Sequence, residues 1–207
     1  MRRRGMLGSA LAACCGLGLA PPSAAQAGTQ DVGGVRFELQ QPLAGRTLLL
    51  NGAGIRYKAI FRVYAAGLYL PSRATSLDAI RAMAGPKRLQ VAALRDIDGK
   101  ELGKLFTQGM ERNSSRETFS RVINGTLHMA EVFARRKQLA SGDQFSIDWV
   151  PGTGTQIAVN RHPETEPIAE PEFFDALLAI WLGASPADAA LKDALLGLPA
   201  STRPFAS

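Results

Sequence analysis

The sequence predicts an α+β fold in one domain, with an antiparallel sheet and helices on one of its faces. Three observations lead there. Alternating apolar segments crowd the first half of the chain, and two segments with helical periodicity follow them. A late pair of alternating segments is joined by a glycine-rich turn, and helical segments close the chain. With 46% hydrophobic and 20% charged residues the composition is globular, which excludes a disordered, collagenous or low-complexity chain.

The elements follow in order. Residues 35–39 alternate, with Val35, Phe37 and Leu39 on one face, and residues 47–50 form a second strand. Asn51-Gly52-Ala53-Gly54 punctuates. Residues 55–70, rich in apolar and aromatic side chains, form two strands or one long bent one, ended by Pro71 and Ser72. Thr75 to Asp78 starts a short helix that Gly85-Pro86 stops. Residues 87–94 are a strand.

Asp98 and Glu101 have capping-box spacing, and Leu102, Leu105, Phe106 and Met110 then share one helix face. Asn113-Ser114-Ser115 breaks that helix. Ser114 and Glu117 repeat the capping spacing before a stripe of Phe119, Val122, Ile123, Leu127, Ala130 and Phe133 or Ala134. Arg135, Arg136 and Lys137 suit the negative end of that helix. Residues 144–150 and 155–160 are strands joined by Pro151-Gly152-Thr153-Gly154, and residues 162–167 are a polar loop. Pro171 opens a helix to Leu182, and Asp188 lies in the segment that starts the last helix, ended by Gly197. There is no internal repeat.

Residues 1–27 read as a secretion signal: Arg2, Arg3 and Arg4, then an apolar stretch to Ala20, a Pro21-Pro22 break and the small-x-small site Ala25-Gln26-Ala27. Residues 28–207 are then a single domain, long enough for one core without disulfide or metal. The expected location is periplasmic or secreted, with a lipoprotein anchored through Cys14 as the alternative, since Leu11-Ala12-Ala13-Cys14 resembles a lipobox. Apolar sequence running past Cys14 and Cys15 favours simple cleavage. No later stretch has the length of a transmembrane span. Net charge is +6, but the three leader arginines supply half of it, so nothing suggests a nucleic-acid face.

Chemistry by metal or cofactor is not indicated. His128 and His162 have no ligand spacing between them, and Gly152-Thr153-Gly154-Thr155 lacks the lysine and helix of a phosphate loop. Glu164, Glu166, Glu170 and Glu172 read as a solvated loop and helix N-terminus. The segment 51–70 stands apart. On a continuous strand Arg56 and Tyr64 would share a face, with Ile60 and Arg62 beside them. An arginine among apolar neighbours needs a partner, and its fork suits a carboxylate to which a tyrosine hydroxyl can add a second donor. A surface arginine beside an aromatic packing pair is the alternative.

Gly52-Ala53-Gly54-Ile55-Arg56, followed by Val63-Tyr64-Ala65-Ala66-Gly67-Leu68-Tyr69, resembles the signature of the chalcone isomerase-like family. Asp98-Gly99-Lys100, the 145–159 hairpin, Pro163-Glu164-Thr165 and Trp181-Leu182-Gly183 add matches in order over residues 36–197, and residues 179–197 resemble the exported bacterial branch. The resemblance implies an open-faced β-sandwich: a large antiparallel sheet backed by helices, with a pocket between them. It places the family's catalytic arginine on Arg56. The plant pocket's threonine falls on Tyr64, its helical tyrosine on Leu102, its asparagine on Gly109 (or, one turn on, Asn113), and a hydroxyl residue on Arg161. By contrast, the fatty-acid-binding branch pairs an arginine with the tyrosine of a Val-Tyr-Ala element, here Arg56 with Tyr64. The expectation is therefore a binder of a small apolar carboxylic acid such as a fatty acid. Arg56 and Tyr64 would hold the carboxylate, and Leu102, Phe106 and Met110 would line the tail or simply pack the core. The alternatives are an intramolecular lyase using Arg56 on an oxyanion, and a structural or partner-binding envelope protein.

Overall fold

The computed structural model describes residues 28–199. The leader read over residues 1–27, with Cys14 and Cys15, lies outside them. The strands are β1 (Thr29–Val32), β2 (Val35–Glu38), β3 (Gln40–Leu43), β4 (Arg46–Lys58) and β5 (Phe61–Leu70). After α1 (Leu77–Ala82) come β6 (Lys87–Ala93), β7 (Ile97–Asp98), α2 (Gly99–Arg112) and α3 (Arg116–Arg135). Then follow β8 (Gln138–Leu139), β9 (Gln144–Val150), β10 (Gly154–Val159), β11 (His162–Pro163), α4 (Pro171–Leu182) and α5 (Ala189–Leu195). Seven strands form one antiparallel sheet in the order β11-β10-β9-β6-β5-β4-β3. The fold is thus the α+β sheet-and-helix architecture that the sequence predicts.

The sheet has two unlike faces. One carries Tyr64, Ala66, Leu68, Val91, Phe145 and Ile147, buried against Phe106, Met110, Met129, Phe133 and Trp181 of α2, α3 and α4. On the other face, Phe37 of β2 covers Gly67, leaving a smaller cluster with Leu48, Leu50 and Tyr69. Asp98 caps α2 by accepting from the Glu101 N–H at 2.8 Å, as its spacing predicts. The cap of α3 is Ser115 rather than Ser114. Its stripe is also rotated from the predicted one: Thr126 and Met129 are buried, while Leu127 is 51% exposed. The Thr126 hydroxyl is tolerated inside because it donates to the Val122 carbonyl at 2.9 Å.

The 51–54 segment does not punctuate; it lies inside β4. A bulge at Asn51 bends the strand, and its buried amide donates to the Ala74 and Leu195 carbonyls at 2.9 and 2.7 Å. The glycines serve close approach: a Cβ on Gly52 would stand 2.0 Å from the Ala194 carbonyl oxygen, so α5 seats directly on the strand. The break in residues 55–70 comes at Ala59-Ile60, with Ala59 at φ +55 and no glycine to announce it. Ile60 is in the turn and 85% exposed, off the face it was expected to share. The second bulge, beside Arg56 and Tyr57, turns Arg62 to the Phe37 side, next to Gly33. Leu39 lies just past β2 and is exposed, and the 162–167 loop starts with the edge strand β11. Glu164 is not solvated: it pairs with Arg136 at the end of α3.

Candidate functional site

Arg56 and Tyr64 are cross-strand partners on β4 and β5, and the Arg56 guanidinium carbon lies 5.6 Å from the centre of the Tyr64 ring. They share a face, as the sequence suggests, but through hairpin pairing rather than one continuous strand. Tyr64 is 3% exposed, and its hydroxyl accepts a hydrogen bond from Trp181 Nε1 at 2.8 Å. That bond occupies a lone pair and leaves the phenol proton to be donated elsewhere. Burial pushes the Tyr64 hydroxyl up to about 12, with Asp188 adding to the rise, while the Arg56 charge and the Trp181 bond oppose it. At neutral pH the residue is therefore a neutral donor. The Nε–H of Arg56 is buried and has no hydrogen-bond partner.

Both residues open into a cavity of about 120 Å³ between the sheet, α2, α4 and the loop before α5. Leu102, Leu105 and Phe106 of α2 and Ile180 of α4 form its apolar walls. Phe106 is fixed edge-on against Trp181, Phe133 and Phe145, with ring centres 5.7, 5.2 and 6.0 Å away. Gly109 contributes space: a Cβ there would sit 3.0 Å from Ile180. Ser185, Pro186 and Ala187 complete the lining, and the exposed Arg112 brings a second cation to the rim. Asn113 holds this loop in place, donating to the Gly109 and Ser185 carbonyls at 2.9 Å each and accepting from the Ser185 N–H at 2.8 Å.

Of the residues singled out from sequence, the cavity brings together Arg56, Tyr64, Leu102 and Phe106. Met110 does not line it. It is fully buried one turn further on, with its sulfur 3.5 Å from the Thr126 hydroxyl. Arg161 lines a polar trough on the opposite sheet face, beside the Arg88–Asp148 ion pair. Gly109, where the resemblance places the plant pocket's asparagine, also lines the cavity, while sequence reasoning missed Trp181, Arg112 and the 185–187 loop. Trp181 had a signal: its indole N–H is the one polar side-chain group in residues 177–182, and such a group, once buried, needs an acceptor. Among the described residues no group of three or more His, Cys, Asp or Glu could hold a metal ion, and no helix is long and apolar enough to cross a membrane.

An arginine and a neutral tyrosine thus meet at a small apolar cavity between the sheet and the helices of an open-faced β-sandwich. The chain belongs to the chalcone isomerase-like family, whose model matches residues 29–197. Among solved structures, it is similar to the fatty-acid binding protein of Arabidopsis thaliana, at 14% identity and a TM-score of 0.61, over 79% of this chain and 92% of that one. No curated protein matches by sequence.

Proposed function

We propose that this chain is an exported binding protein for a small apolar carboxylic acid, above all a fatty acid. The carrying observation is the pair of unused donors at one cavity, the buried Arg56 Nε–H and the phenol proton of Tyr64. One carboxylate accepts from both, which relieves the desolvation cost of an unpartnered guanidinium N–H. The apolar walls suit the carbons that follow the carboxylate. A fatty-acid binding protein of similar fold supports the same ligand class. An engineered cavity of about 150 Å³ holds benzene. A cavity of about 120 Å³ thus houses the carboxylate and its first carbons, and a longer tail needs Leu102, Leu105 or Ile180 to move aside.

Arg56 would equally steady an oxyanion, which is the observation behind an isomerase reading. Cyclisation also needs a proton delivered to carbon, and the cavity lining offers neither a histidine nor a carboxylate for that transfer, leaving Tyr64. Mass spectrometry of small molecules that co-purify with the native protein tests the proposal. Fatty acids retained by the wild type and lost from Arg56→Ala are expected; no retained acid contradicts it. Turnover of a chalcone above its spontaneous rate, abolished in Arg56→Ala, would favour the isomerase. Export rests on the leader, and the N-terminus of the mature protein tests it: Gly28 for simple cleavage, a lipidated Cys14 for the lipoprotein.

A further inference from the structure

Three of the six large hydrophobic residues exposed among the described residues fall within five positions: Tyr57 at 48%, Ile60 at 85% and Phe61 at 56%. They sit on the tip of the β4–β5 hairpin, the hairpin that carries Arg56 and Tyr64. Folding gains nothing from leaving isoleucine and phenylalanine on a protruding turn, and apolar groups displayed together mark a contact surface. Cations surround them. Lys58 and Arg62 flank the turn, both exposed, and Arg95 lies over the Phe61 ring at 5.4 Å. The nearby carboxylates are engaged: Asp188 accepts from the Tyr57 and Leu191 N–H groups, and Asp96 from Ser141.

We infer that this hairpin tip docks on an anionic phospholipid bilayer. An aromatic ring, a tyrosine and a β-branched residue projecting from a ring of Lys and Arg match the two layers of such a surface. The apolar side chains enter the acyl boundary, and the cations meet the phosphates. A protruding two-residue turn suits insertion into a fluid interface better than burial against a flat protein face. Arg56 is four residues from Ile60 along the chain, at most roughly 14 Å when extended, so docking brings the cavity close to the source of an acyl ligand. The inference thus extends the binding reading, but it rests on a different part of the molecule and is read by a different assay.

The test is co-sedimentation of the purified protein with vesicles of phosphatidylcholine alone or with phosphatidylglycerol added. Each cation at an anionic surface contributes about fivefold in partition, and the two carboxylates offset part of this, so about tenfold stronger binding to the anionic vesicles is expected, weakening in high salt. The double variant Ile60→Asp, Phe61→Asp should lose binding while keeping the wild-type melting curve and fatty-acid affinity, since neither residue touches the cavity. A tryptophan in Ile60→Trp should shift its emission to the blue on the same vesicles. Absence of binding to anionic vesicles, or binding retained by the double variant, overturns the inference. So does a concentration-dependent dimer that the double variant abolishes without any vesicle binding, which would reassign the tip to self-contact.

Discussion

The Trp181 indole N–H donates to the Tyr64 hydroxyl at 2.8 Å, joining α4 to β5 across the core and directly beneath the cavity. One bond therefore satisfies a buried donor, orients the phenol and couples the pocket to the packing of the helix layer. Trp181→Phe removes the donor and part of an aromatic cluster. It should lower stability by about 2–3 kcal/mol, because the Tyr64 hydroxyl loses its partner and a void opens beside Phe106. Urea unfolding checks this; an unchanged midpoint would show that the bond holds nothing.

The tyrosines set a limit at alkaline pH. Burial raises the Tyr64 hydroxyl from 10.0 to about 12, and that of Tyr69, on the other face, is raised as well. A raised folded-state value means that the unfolded chain loses its proton first. Stability is full below pH 10 and falls as pH rises through the folded-state value. Tyr64 alone accounts for a loss of about 2–3 kcal/mol between pH 10 and 12. Denaturant midpoints across this window should decline, and less steeply in Tyr64→Phe. Identical slopes in the two proteins would contradict the assignment.

Asp188 works against an anionic ligand, since its charge reaches Tyr64. Asp188→Asn removes that charge and keeps the cap on the Leu191 N–H, losing only the bond from the Tyr57 N–H, since an amide has one acceptor oxygen. A fatty acid should then bind about three- to tenfold more tightly, a gain of about 0.6–1.4 kcal/mol, while the matching fatty alcohol is unaffected. Paired calorimetric titrations check it, and equal gains for acid and alcohol would argue against a charge effect.

Gly52 lets α5 lie on β4. Gly52→Ala places a methyl 2.0 Å from the Ala194 carbonyl oxygen, a backbone atom that has no rotamer to change. The helix must lift, and a loss of about 3 kcal/mol follows. Thermal melting measures it; a wild-type curve would mean that α5 shifts freely.

The relation between sequence and structure differs from element to element. Strand β9 and helices α2 and α4 could be read closely from alternation, from the Asp98 cap and from Pro171, because each signal is local. Asn51-Gly52-Ala53-Gly54 misled because glycine signals both turns and close packing, and only the position of α5 shows which applies. The real turn, Ala59-Ile60, carries no turn residue. The short strands β1, β3, β7 and β8 are set by their partners rather than by their own pattern. At the site, Arg56 and Tyr64 stood out as polar groups in an apolar run. Trp181, 117 positions from Tyr64, joins them only through the tertiary fold. Met110 shares the helix face of Phe106, yet one further turn takes it past the cavity into the core.

The central claim, that Arg56 and Tyr64 grip one carboxylate, is tested most directly by calorimetric titration of a fatty acid into wild type, Arg56→Ala, Arg56→Lys and Tyr64→Phe. Arg56→Ala should cost about 2–4 kcal/mol of affinity, because the charge-assisted contact is lost and the carboxylate is left without its main partner. Tyr64→Phe removes one neutral donor and should cost about 0.5–1.5 kcal/mol. Arg56→Lys should fall between the two, since it keeps the charge without the fork. Equal affinity in wild type and Arg56→Ala would contradict the account and leave Arg56 a structural residue.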